Sequence, residues 1–139
     1  MRRVGLKIVA CILVVALGVG GWAIHRSMEG VRNAYAVWWV ADMVVEHLKA
    51  NNGAWPRNWD ELRDDYQTCV ERSGQPWSFE ELQNRVAIDW RADPSQLAAL
   101  ANRDFTPPFC VIWLSDGTNS HWEHAEPNQI IADYLKSPG

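Results

Sequence analysis

The segment from Asp116 to Glu126 holds the chain's densest set of side chains able to do chemistry: Asp116, His121, Glu123, His124 and Glu126. His121 and His124 stand three residues apart, so on a helix they could share a metal ion. On a strand they point to opposite faces, and this segment reads as a strand running into a loop. Zinc sites usually take three or four protein ligands. The remaining histidines, His25 and His47, fall at the edge of an apolar run and inside the first helix of the domain. Asp116 and Asn119 with backbone oxygens could hold calcium. A hairpin turn built on Asp116-Gly117 needs only turn chemistry, and that is the preferred reading. Asp116, His121 and His124 remain the only metal candidates.

Other chemistry finds no frame. Ser, His and acidic residues occur, but not as GxSxG, and neither a P-loop nor a dinucleotide-type glycine pattern is present. Asp60, Glu61, Asp64 and Asp65 form an acidic cluster that reads as the solvated face of a short helix. No cofactor is expected, and the chain is read as a non-enzyme. Cys69 and Cys110 could pair in an oxidising compartment, closing a loop of about 40 residues worth roughly 4 kcal/mol. Two unpaired buried thiols fit as well, and no CxxC spacing exists.

Charge narrows the partners. The net charge is −4, and residues 1–26 carry four basic side chains and no acid, so the rest of the chain stands at −8. With its basic residues scattered singly, such a domain is not expected to bind nucleic acid. Nine tryptophans in 139 residues are read first as core, since each can remove on the order of 200 Å² from water. A stacking surface for sugars or peptides is the alternative.

The elements that would position these residues begin with Ile8–Ile24, IVACILVVALGVGGWAI, which has no charged side chain. At 1.5 Å per residue it lies near the lower limit for crossing a bilayer core, about 17 residues. Arg2, Arg3 and Lys7 precede it, and flanking arginine stems can snorkel. An uncleaved anchor is preferred over a cleaved signal or a buried helix, because Trp22-Ala23-Ile24-His25 is a poor small-x-small cleavage site. The positive-inside rule keeps the amino terminus in the cytoplasm. That places residues 27–139 outside the cytoplasmic (inner) membrane, as an extracytoplasmic or periplasmic domain.

From Val31, the residues Ala34, Trp38, Ala41, Val45 and Leu48 follow at steps of three and four, which predicts a helix over about 27–51. Trp39, Val40, Met43 and Val44 widen its apolar surface, and Asn51-Asn52-Gly53 ends it. Asn58 with Glu61, and Ser78 with Glu81, have capping-box spacing; the first of these helices is expected to end near Tyr66. Val86-Ala87-Ile88-Asp89-Trp90 alternates as a half-buried strand. Asp93-Pro94 opens another helix. The run 109–114 reads as a central strand buried on both faces, returning through a hairpin over Ser120–Glu123. Glu126-Pro127 starts a last helix. The fold class expected is α+β: a long amino-terminal helix, part anchor and part spine of the domain, packed on a small antiparallel sheet with short capping helices.

This order of features resembles the type IV pilin and type II secretion pseudopilin family. The similarity is strongest over Leu48-Lys49-Ala50-Asn51-Asn52-Gly53-Ala54-Trp55-Pro56, followed by Trp59-Asp60-Glu61-Leu62: a helix end, a glycine, an aromatic-proline pair and a short Leu-bearing segment. The resemblance implies a pilin-like architecture and partners among other envelope proteins, a secretion-type assembly, or the protein itself. It carries over no processing or assembly residue. Gly5 precedes Leu6 rather than Phe or Met, and Ala10 stands where the mature family has Glu.

Overall fold

The computed structural model describes residues 2–101, 110–118 and 126–136, with side chains described from residue 16 onward within those ranges, Ala101 excepted. Two compact units divide the chain, Met1–Arg32 and Asn33–Gly139. The first helix, α1 (Arg2–Ala50), has residues in both. Within the first unit the large apolar side chains Leu17, Val19, Trp22, Ile24, Met28 and Val31 are all exposed, and the Arg26 guanidinium lies over the Trp22 ring, 5.4 Å from its centroid. Among the described residues no helix is long and apolar enough to cross a membrane. Residues 8–15 of the run Ile8–Ile24 fall outside the described side chains.

In the second unit the outer half of α1 is the centre of the core. Val37, Val40, Met43, Val44 and Leu48 are buried in it. The inner face is rotated from the one predicted, for Val31 is 56 % exposed and Trp38 only half-buried, while Val37 and Val44 point inward. The apolar surface is so wide that spacing alone does not choose its centre; the elements packed against it do. Asn52 (φ 53°) and Gly53 (φ 80°) turn the chain out of α1 through the left-handed region, where Gly53 N–H donates to Leu48 O at 2.7 Å.

A 3₁₀ turn, Trp59–Leu62, is capped by Asn58 and leads directly into α2 (Arg63–Ser73). α2 thus runs seven residues past the predicted end at Tyr66. Its inner face, Leu62, Asp65, Cys69, carries a polar residue in the middle, which hides the apolar period, and Gly74 in the left-handed conformation stops it. Ser78 forms a complete capping box with Glu81 at the start of α3 (Phe79–Arg85). Strand β1 (Val86–Ile88) pairs antiparallel with β2 (Ile112–Leu114), with Val86 opposite Leu114 and Ile88 opposite Ile112. Between them α4 (Pro94–Ala101) starts behind Asp93, which accepts from Ser95 N–H at 2.9 Å.

The sheet has two described strands and one buried face. Val86, Ile88, Ile112 and Leu114 face the core, whereas Trp113 is 42 % exposed. The expectation of a strand buried on both faces is thereby corrected at Trp113, while Val111, two residues earlier, is buried. The predicted return strand over Ser120–Glu123 lies outside the described residues. At Ile112 the outer edge of β2 is taken by Asn128 of α5 (Pro127–Lys136). Its side-chain oxygen accepts from Val111 N–H (2.7 Å) and Ile112 N–H (3.0 Å), and its Nδ2 donates to Ile112 O at 2.9 Å. One buried amide thus does locally what a third strand would do.

Most of the described tryptophans serve as core. Trp55 and Trp77 are buried, and Trp59 meets Phe79 and Trp90 edge to face at 5.8 and 5.6 Å. Among the described residues the architecture is a long amino-terminal helix, four shorter α-helices and a small antiparallel sheet, an α+β arrangement.

Candidate functional site

His47 stands one turn before the end of α1, in phase with Val40 and Val44, so its ring is turned into the core and is 6 % exposed. Asp65 stands on the first turn of α2, between buried Leu62 and Cys69 at three and four residues, and is 7 % exposed. The two meet with His47 Nδ1 and Asp65 Oδ2 2.8 Å apart. A carboxylate can only accept, so Nδ1 carries the hydrogen and donates it. Asn51 Nδ2, 3.3 Å from the same ring nitrogen, donates instead to the His47 carbonyl at 2.9 Å. Nε2 is therefore the ring nitrogen left over by this pairing.

Among the described residues the side-chain polar atom sealed from solvent without a partner is Gln75 Nε2. His47 Nε2 has no hydrogen-bond partner among them either, but it is not sealed. His47 lines a cleft of about 460 Å³ at the carboxyl end of α1, walled by Ala50, Ala54 and Trp55 and rimmed by Arg57, Glu61, Asp64 and Asp65. Burial pushes the Asp65 carboxyl above the usual carboxylate range; the hydrogen bond from His47 pulls it down, and the charges of Asp64 and Glu46 add to the rise. Arg57 is tied to Glu61, which takes its Nε at 3.3 Å and its backbone N–H at 2.9 Å.

A second polar cluster joins the same two helices two turns further along α2. Arg72 donates through Nη2 to Asp42 at 2.6 Å and through Nη1 to Glu46. The polar side of α1 that carries Asp42 and Glu46 is thus a docking face for α2. The Arg72 hydrogen bond holds the Glu46 carboxyl below its ordinary value, and the two carboxylates raise Arg72 in turn. Cys69 lies beneath, its thiol pushed up to about 12 by burial and next by the charge of Asp42.

The residues singled out from sequence fare differently. Asp116 is an exposed turn residue. Its Oδ1 accepts from Thr118 N–H (2.9 Å) and Oγ1 (2.7 Å), which holds its carboxyl below the usual range, and Gly117 follows at φ 73°. This is the turn the dipeptide implied. His121, His124 and Glu123 lie outside the described residues. Glu126 is spent on α5, accepting from Gln129 N–H and Asn128 Nδ2, both at 3.0 Å. Cys69 and Cys110 are free thiols, the first buried and the second exposed. Among the described residues no group of three His, Cys, Asp or Glu side chains is placed to hold a metal ion.

Sequence reasoning missed the His47–Asp65 pair. The signal available was a polar residue at a core phase on each of two successive helices. As chemistry, the pair supplies an oriented imidazole with an open acceptor. No Ser, Thr or Cys among the described residues lines the cleft. Compared with known protein families, curated proteins and solved structures, the chain finds no match.

Proposed function

We propose that this is a single-pass, membrane-anchored protein of pseudopilin-like architecture whose extracytoplasmic domain works by contacts with other envelope proteins or with further copies of itself, and not by catalysis. One observation carries the reading. Large apolar side chains of α1 stand exposed beyond the apolar run: Met28 at 62 %, Val31 at 56 % and Tyr35 at 51 %. An apolar row of that size exposed to water is unfavourable and calls for lipid or protein to cover it.

The apolar run supplies the lipid-facing part. Its 17 residues span about 26 Å as a helix, close to a bilayer core. Trp22 beneath Arg26 is the pairing expected where a helix leaves lipid, an aromatic ring at headgroup depth with a snorkelling cation. Met28, Val31 and Tyr35 then fall beyond the membrane, where the cover must be protein. The basic amino terminus stays inside and the acidic domain outside.

Photo-crosslinking amino acids placed at Met28, Val31 and Tyr35 of the full chain in native membranes test this. Discrete protein adducts from these sites, and not from exposed Glu80, are expected. Adducts absent from all three, in chains that accumulate normally, would overturn the proposal.

A further inference from the structure

We propose that the cleft at the carboxyl end of α1 binds a primary ammonium group on an apolar stem, with His47 Nε2 accepting one of its N–H bonds and Asp64 balancing its charge. This inference is independent of the anchoring proposal.

The argument begins with the imidazole. His47 is almost wholly buried, and its Nδ1–H is committed to Asp65 at 2.8 Å. Its remaining nitrogen, Nε2, has no partner among the described residues, and the side chain lines a cleft. A buried ring fixed in one tautomer by a carboxylate presents its lone pair in a set direction. The occupant it favours is a hydrogen-bond donor.

Charge selects among donors. The cleft carries three carboxylates and one guanidinium. Arg57 and Glu61 compensate each other, leaving Asp64 and Asp65 in excess. Asp64 is exposed, and its carboxylate has no partner among the described residues. An anion would find only a cation already committed to Glu61. A metal ion would lack a third ligand. An ammonium satisfies both features, giving an N–H to Nε2 and a positive charge to the excess carboxylates; hydrogen bonds with one charged partner are the stronger kind. The volume, about 460 Å³, lies within the ordinary range for small-ligand sites. It far exceeds an ammonium head, and Ala50, Ala54 and Trp55 provide an apolar wall for a stem. A lysine side chain of a partner protein and a free alkylamine share this chemistry.

The test is an NMR titration of the full chain in detergent micelles, reading the ¹⁵N shift of His47 Nε2. The probes are n-butylammonium, n-butanol, tetramethylammonium and Nα-acetyl-lysine amide. Saturable shifts are expected with n-butylammonium in the millimolar range, with binding about tenfold weaker for tetramethylammonium, which has charge but no N–H, and for n-butanol, which has a donor but no charge. Asp64→Asn, at an exposed position that leaves the core alone, should weaken n-butylammonium about threefold, the scale of a surface charge pair. Binding of Nα-acetyl-lysine amide as tight as n-butylammonium would support a protein lysine as the source, and its exclusion a free amine. No saturable shift with n-butylammonium, or equal responses to n-butanol or tetramethylammonium, would overturn the proposal.

Discussion

Removing Asp65 while leaving His47 in place should be among the most damaging small changes in the domain. In Asp65→Ala the imidazole stays buried, and its Nδ1–H loses an acceptor at 2.8 Å. An orphaned buried donor costs about 1–3 kcal/mol. Both side chains are under a tenth exposed, so solvent repairs little, and the expected loss is about 2–3 kcal/mol, the upper part of that range. Replacing both partners by leucine removes both desolvation penalties, and His47→Leu/Asp65→Leu should lie within about 1 kcal/mol of wild type. The sign of the pH dependence follows from the raised Asp65 carboxyl. The native state holds that proton more tightly than the unfolded chain does. Stability therefore falls as pH rises from the ordinary carboxylate value through the raised native one, and Asp65→Ala abolishes that fall. Urea denaturation of the full chain in mild detergent, followed by tryptophan fluorescence across that window, reads both quantities. If the single substitution cost under about 0.5 kcal/mol, or the double one cost the sum of its parts, the pair would not join the helices as described.

Three further outcomes are expected. Arg72→Ala frees Asp42 and Glu46 and, since Arg72 is 46 % exposed, should cost only about 1 kcal/mol and fade in high salt. The lowered Glu46 carboxyl contributes stability that is present above its unfolded value and lost as pH falls through the native one; in Arg72→Ala that acid-side loss should shrink, by urea midpoints against pH. Asn128→Ala strips the edge of β2 of its donors and acceptors and should cost about 2–3 kcal/mol by the same unfolding assay. In a Cys11→Ser background, iodoacetamide should alkylate exposed Cys110 in the native state and reach Cys69 only after unfolding, as mass spectrometry with and without urea would show.

Local chemistry was readable at most places where the signal was a short-range hydrogen bond, although Glu61 takes the Arg57 N–H rather than reaching back to Asn58. Ser78 with Glu81, Asp93 ahead of Pro94, Glu126 at α5 and the Asp116-Gly117 turn are all found with the partners their spacing implied. What could not be read depends on partners far along the chain. Asp42 and Glu46 look like a solvated stripe until Arg72 arrives some thirty residues later. Asp65 looks like one more exposed acid in a run of them; only the phase of Leu62 and Cys69 turns it inward, against a histidine 18 residues earlier. The run 109–114 reads as two-faced because strand patterns record residue polarity and not what covers each face; Trp113 stays exposed on the open side. The candidate site had the same obstacle. Searching for clustered His and acid in sequence leads to Asp116–Glu126, whereas the oriented imidazole is made by single residues on two helices.

The central claim is that Ile8–Ile24 anchors the chain and puts the acidic domain on the far side of the membrane. Alkaline carbonate extraction of membranes, followed by protease treatment of right-side-out spheroplasts, tests it directly. The expected result is a chain that stays with the lipid at high pH and loses its domain to external protease, while a tag before Arg2 stays protected. Release into the alkaline supernatant, or a domain cut only after the membrane is breached, would contradict it.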